Sequence, residues 1–117
     1  MEPRHIASVS FGKDSLAMLY LLIARGWPVD EIVFFNNGME FQAIYDTRDR
    51  VLPDLEALGI PYTELYPRSP FLYDMLDRPV KYRGKPGQHY GYQWCGGPCR
   101  WATAEKVKVI RDYCARA

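Results

Sequence analysis

Six contiguous residues, Ser10-Phe11-Gly12-Lys13-Asp14-Ser15, interrupt an apolar run where the pattern changes from strand to helix. Two hydroxyls, a lysine, an aspartate and a glycine at such a junction suit the binding of an anion. Gly12 lets the backbone turn tightly and present its N–H groups. The start of the helix adds partial positive charge, and Ser10, Ser15 and Lys13 supply donors. A simple helix cap needs one residue, Asp14 or Ser15, and leaves the Gly-Lys pair and Ser10 without a role. Phosphate or sulfate is the expected ligand. The spacing is neither that of a Walker A loop, which needs a longer glycine-rich span, nor G-x-G-x-x-G.

A second concentration of chemistry runs from Arg78 to Arg100. It holds Arg78, Lys81, Arg83, Lys85 and Arg100 with His89 and no acidic residue, interleaved with Tyr82, Tyr90, Tyr92 and Trp94. Such a stretch can close over a nucleotide's phosphates, or grip a nucleic-acid strand by phosphate contact and base stacking. The plain alternative is a solvated loop whose tyrosines pack on the core. Cys95 and Cys99 form a C-x3-C pair with Cys114 distant, which falls short of zinc-site spacing. No metal ligand set is assigned, and an iron–sulfur cluster is not expected.

Local order is what must position these groups. At 117 residues the chain is expected to form one domain, and 48% hydrophobic with 25% charged residues is ordinary for a globular protein. A net charge of +1 gives no global attraction to nucleic acid or membrane. The longest apolar run, "LAMLYLLIA", is about half the ~20 residues of a membrane helix, so no membrane association is expected. Three cysteines, an odd number, argue against a secreted disulfide scaffold, and a reducing cytoplasm is the expected location.

"HIASVSF" reads as a strand. "DSLAMLYLLIARG" reads as a helix ending at Gly26, so apolar that more than one sheet face should cover it. "EIVFFNN" reads as a buried parallel strand. "FQAIYDTRDRVLPDLEALG" reads as a helix that Pro53 should kink or divide, and "IPYTELYP" as a third, weaker strand. Irregular chain with at most a short helix around Leu72 to Leu76 is expected up to "GPCRWATAEKVKVIRDYCARA". That segment reads as a helix with Pro98 near its first turn and Trp101, Ala104, Val107, Ile110 and Cys114 on one apolar stripe, which makes Cys114 a core residue. Alternating strands and helices predict an α/β domain with a parallel sheet.

The loop Ser10-Phe11-Gly12-Lys13-Asp14-Ser15 closely resembles the PP-loop, S-[GF]-G-K-D-S, of the adenine-nucleotide α-hydrolase-like superfamily. Its phenylalanine and lysine are similar to the phosphoadenosine phosphosulfate (PAPS) reductase branch. "VFFNNGMEFQAIYDTRDRV" is similar to the branch's second strand and following helix, with Asn36-Asn37-Gly38 in place of an Asp-Thr-Gly turn. "YQWCGGPCRWATAEKVKVI" resembles the region that carries Trp-Cys, then Arg and Lys. The resemblance spans roughly Ile6 to Ile110.

It implies a Rossmann-like parallel sheet of strand order 3-2-1-4-5, here truncated to about three strands. The first strand then becomes an apolar edge, which a second copy, a homodimer, is expected to cover. It implies that Ser10, Phe11, Gly12, Lys13, Asp14 and Ser15 hold the phosphate or sulfate end of an adenine nucleotide, ATP or a sulfonucleotide (PAPS or APS). Asn36 and Gly38 lie beside the adenosine, and Lys81, Arg83 and Arg100 are the further phosphate candidates. Lys13 and Asp14 carry the catalytic role, with Mg²⁺ joining where Asp14 is free to help and loop N–H groups stabilising the leaving pyrophosphate. The reductase's Glu-Cys-Gly-Leu-His-type tail is not present in the sequence, so a nucleotide- or nucleic-acid-binding module without turnover is one alternative. Transfer of sulfur to tRNA through Cys95, Cys99 and Cys114 is another.

Overall fold

A computed structural model of the chain describes residues 3–92 and 101–116. They group into two compact units, residues 1–65 and 66–117.

The first unit runs β1 (Ile6–Ser8), α1 (Lys13–Ala24), β2 (Glu31–Phe35), α2 (Gln42–Ala57) and β3 (Tyr62–Leu65). The three strands form a parallel sheet in the order β1-β2-β3, with Ala7 opposite Ile32 and Val33 opposite Thr63. This is an α/β, Rossmann-like sheet of three strands. All five residues of β2 are buried, which is why that strand carries no polar alternation: a central parallel strand meets protein on both faces. Leu19 of α1 and Val51 and Leu55 of α2 cluster with Ile32 and Phe34, so both crossover helices pack on one side of the sheet. β1 forms one edge, and no described strand pairs with it on its outer side.

Two expectations need correction here. Pro53 does not divide its helix: α2 runs unbroken from Gln42 to Ala57. Pro53 is exposed, so the carbonyl that loses its donor can be hydrated. The outer face of α1 is less covered than its composition suggests. Leu19 is fully buried, whereas Met18, Tyr20 and Leu21 are exposed, Leu21 to 52%.

The first element of the second unit is a π-helical turn, Tyr73–Asp77, overlapping the Leu72 to Leu76 span where a short helix is expected. The stretch expected to be irregular instead forms an antiparallel hairpin, β4 (Pro79–Tyr82) and β5 (Lys85–Tyr90). Tyr82 pairs with Lys85, leaving Arg83 and Gly84 as the turn, with Gly84 at φ +77°. Glycine adopts that angle freely. A π-helical segment, Ala102–Val107, then continues into α3 (Lys108–Arg116). Pro98, Cys95, Cys99 and Trp94 lie outside the described residues.

The expected stripe fails as a stripe. Trp101 is buried, but Val107 is exposed, and Cys114 is exposed rather than in a core. The reason is phase. Bonds from i to i+5 take more than four residues per turn, so positions at steps of three and four from Trp101 rotate off its face.

Asp74 is the buried centre of this unit. Its carboxyl accepts from Nε of Arg78 at 2.6 Å and from Nε1 of Trp101 at 3.0 Å, and its backbone carbonyl accepts from the N–H of Tyr92 at 2.9 Å. Gly91 passes so close to Met75 that a Cβ would strike the Met75 carbonyl.

Glu105, also buried, accepts from the backbone N–H of Arg68 at 2.9 Å and from its Nη2 at 3.0 Å. Burial pushes the Glu105 carboxyl up, but the Arg68 guanidinium and backbone N–H outweigh it and hold the group below the ordinary glutamate value of 4.5. A carboxyl held low stabilises the fold above that value, and the contribution is lost as pH falls through the folded value. The expected result is a urea midpoint for the wild type that falls as pH drops below about 4.5, and a shallower fall in Glu105→Gln. Parallel curves would show that Glu105 is not the responsible group.

Candidate functional site

The carboxyl ends of β1, β2 and β3 share one rim of the parallel sheet, and two turns from that rim hold the candidate residues. Past β1 the N–H of Val9 donates to the carbonyl of Val33 at 2.9 Å, which keeps the chain in register to the last residue before the loop. Phe11 then takes φ +62°, the only non-glycine residue at positive φ among those described. A left-handed angle costs an L-residue roughly 1–2 kcal/mol. Burial offsets that strain: Phe11 is 2% exposed, its ring 5.0 Å from Phe34 in an edge-on contact and 6.1 Å from Tyr62. The side chain the sequence offers as part of a phosphate loop is the loop's anchor in the core.

Turning the chain at Phe11 folds the loop back on itself. Ser15 Oγ accepts from the N–H of Ser10 at 3.2 Å and donates to the carbonyl of Gly12 at 3.2 Å; the Ser10 and Ser15 hydroxyls lie 3.2 Å apart. Gly12 is the N-cap of α1 in extended conformation, and no side chain caps that end. Asp14 and Ser15 are therefore not caps. The first-turn N–H groups of Lys13, Asp14 and Ser15 precede any helical partner and open with the helix dipole at the rim. Lys13 Nζ and Asp14 Oδ1 lie 3.0 Å apart, and both side chains are more than 90% exposed. An exposed pair of that kind is weak and opens readily to an incoming anion.

The second turn follows β2. Asn36 Oδ1 accepts from the Gly38 N–H at 2.9 Å and from the Tyr45 hydroxyl at 2.8 Å, and Asn37 Oδ1 accepts from the Met39 N–H at 2.7 Å. Gly38 sits at φ +81°, which explains glycine at the end of Asn36-Asn37-Gly38. Phe41, just before α2, is 84% exposed and offers an aromatic face at the same rim.

Of the residues expected from sequence, Ser10 to Ser15, Asn36 and Gly38 meet on this rim. Lys81 lies on β4 and Arg83 in the hairpin turn of the second unit, both exposed, with no ion pair among the described residues. Arg100 lies outside the described residues. Arg78, part of the same basic run, is committed to Asp74 and Ser69. Tyr45, Arg48 and Glu64, which surround Asn36, carried no sequence signal of a site. A groove of about 670 Å³ runs along β1, lined in part by His5, Ile6, Ser8, Met18, Leu22 and Trp27.

No group of three or more His, Cys, Asp or Glu that could hold a metal is present among the described residues. No described helix is long and apolar enough to cross a membrane.

Residues 4–61 match the model of the phosphoadenosine phosphosulfate reductase domain. No curated protein and no solved structure matches the chain. The matched span runs from before β1 to just before β3, so it contains the Ser10–Ser15 loop, the turn at Gly38 and both helices packed on the sheet. Residues 4–61 therefore belong to the phosphoadenosine phosphosulfate reductase-like family and, through it, to the adenine-nucleotide α-hydrolase-like superfamily.

Proposed function

We propose that the Ser10–Ser15 loop binds the phosphate or sulfate end of an adenine nucleotide, ATP or a sulfonucleotide such as PAPS or APS. One observation carries most of this: a strained, core-anchored loop at the carboxyl end of β1 delivers an uncapped helix start beside Lys13 and two hydroxyls. In a parallel α/β sheet this is the end at which ligands bind. Strain held by burial at such a position accords with binding rather than with a plain connection.

In this function the loop N–H groups, the Ser10 and Ser15 hydroxyls and Lys13 stabilise negative charge on the terminal phosphate, or on the pyrophosphate as it leaves. Asn36 and Gly38 shape the adenosine side of the rim. Mg²⁺ fits as a companion of the nucleotide phosphates, which supply most of its oxygens while Asp14 is the carboxylate at hand. When bound it neutralises phosphate charge. Lys13 must leave Asp14 as the nucleotide enters, so the two form a charge switch at the mouth of the loop.

Phosphorus NMR with ATP and Mg²⁺, then with PAPS, tests this. The expected result is shifted or broadened phosphate resonances in the wild type, with binding weakened about tenfold or more in Lys13→Ala. AMP and pyrophosphate appearing in the wild type alone would establish an ATP pyrophosphatase. Perturbation without turnover would mark a binder or a sulfonucleotide enzyme. Spectra of both nucleotides untouched by the wild type would refute the proposal.

A further inference from the structure

We infer that Glu64 is a positioning residue for the nucleotide rim: through the side-chain amide of Asn36 it sets the Asn36-Asn37-Gly38 turn, so that asparagine at 36 and glutamate at 64 work as a matched pair. The rim's role in nucleotide binding is the function proposed above, on which this inference rests.

The contacts form a closed ring across three elements. Asn36, after β2, donates from Nδ2 to Glu64 Oε2 at 3.3 Å, and Glu64 lies on β3. Glu64 Oε1 accepts from Arg48 Nη1 of α2 at 2.9 Å and from the Tyr62 hydroxyl of its own strand at 2.7 Å. The Arg48 guanidinium sits over the Tyr45 ring, 5.1 Å from its centroid, and the Tyr45 hydroxyl returns to Asn36 Oδ1 at 2.8 Å. Arg48 also pairs with Asp49 at 3.1 Å. Arg48 and Glu64 side chains are 20% and 18% exposed, so the pair is well shielded from solvent. Burial disfavours the Arg48 charge, yet the hydrogen bonds and charges of Asp49 and Glu64 hold its pKa above the ordinary arginine value.

Each member constrains the next. The Asn36 oxygen receives two donors, the Gly38 N–H and the Tyr45 hydroxyl, which is its full acceptor capacity. A flipped amide would set NH₂ against the Gly38 N–H and oxygen against a carboxylate, so Glu64 fixes the orientation. With its oxygen committed, Asn36 acts on the rim by holding Gly38 rather than by accepting from a ligand. An aspartate at 36 could keep both bonds, but its second oxygen would face Glu64 at the 3.3 Å now spanned by N–H···O. Two carboxylates so close cannot both ionise freely. Asparagine is therefore the residue that glutamate at 64 demands, and an aspartate would need an amide at 64.

A four-protein cycle tests the pairing: wild type, Asn36→Asp, Glu64→Gln and the double variant. Each is measured for ATP and PAPS affinity at neutral pH and near pH 5, for melting temperature, and for the Gly38 amide resonance. Asn36→Asp is expected to bind about tenfold more weakly at neutral pH and to recover near pH 5, where the facing carboxyls share a proton. The double variant, with aspartate facing an amide, is expected to return to within about threefold of wild type at both pH values and to restore the Gly38 resonance. Asn36→Asp binding like wild type at neutral pH, or a double variant no better than Asn36→Asp, overturns the inference. If the wild type binds neither nucleotide, the proposed function falls. The pairing then stands or falls on the Gly38 resonance and melting temperature, which the double variant alone should restore.

Discussion

Replacing Phe11 with alanine is expected to lower the stability of residues 1–65 by about 3–5 kcal/mol, the usual cost of deleting a buried aromatic ring. The ring is 2% exposed and packs on Phe34 and Tyr62, so its loss opens a void between the loop and the sheet. Alanine also keeps the left-handed strain, since φ +62° is as costly for it as for phenylalanine. Glycine does not. Glycine normally destabilises an ordered segment by roughly 0.5–1 kcal/mol relative to alanine; at position 11 the order should vanish or invert. Urea titration of the two variants measures this directly. A Phe11→Ala protein within about 1 kcal/mol of wild type would mean that the ring is not what holds the loop.

Replacing Asp74 with alanine is the second large effect, expected at about 2–4 kcal/mol and confined to residues 66–117. Most of it comes from Trp101, whose buried ring N–H loses its acceptor, and from the void that the carboxyl leaves. Arg78, partly open to solvent, can replace its lost contact with water. Asp74→Asn should cost less, because the amide oxygen can still accept from Trp101. Hydrogen exchange distinguishes the two units. Amides of the hairpin and α3 should exchange faster in Asp74→Ala while those of β2 stay protected. Equal acceleration in both units would show that Asp74 serves the whole chain.

The first half of the chain is legible because its signals are local. Four apolar residues in a row, two of them a Phe-Phe pair and bounded by Asn-Asn-Gly, suit an interior strand, and a glycine-lysine-aspartate-serine turn at a strand end suits an anion. What the sequence conceals is partnership at a distance. Asn36 and Glu64 are 28 residues apart, and nothing near either one hints at the other. The hairpin was hidden for a different reason. Pro79, Gly84, Pro86 and Gly87 read as breakers, yet a two-stranded ribbon tolerates proline at its first residue and along its free edges. The misplaced Cys114 reflects a period that changes at Ala102–Val107, where a pattern of 3.6 residues per turn no longer applies.

The single direction of all three strands gives the first unit two inequivalent sides for protein engineering. The returns that precede β2 and β3, around Gly26–Val29 and Gly59–Pro61, lie at the amino ends of the strands, opposite the rim of Ser10 and Asn36. Lengthening either return adds flexible chain at a cost of about 0.6 kcal/mol per doubling and moves no group of the site. One residue inserted between Val9 and Gly12 would instead uncouple the Phe11 anchor from the helix start. A fluorescent label or an affinity tag therefore belongs at Gly26–Val29 or Gly59–Pro61.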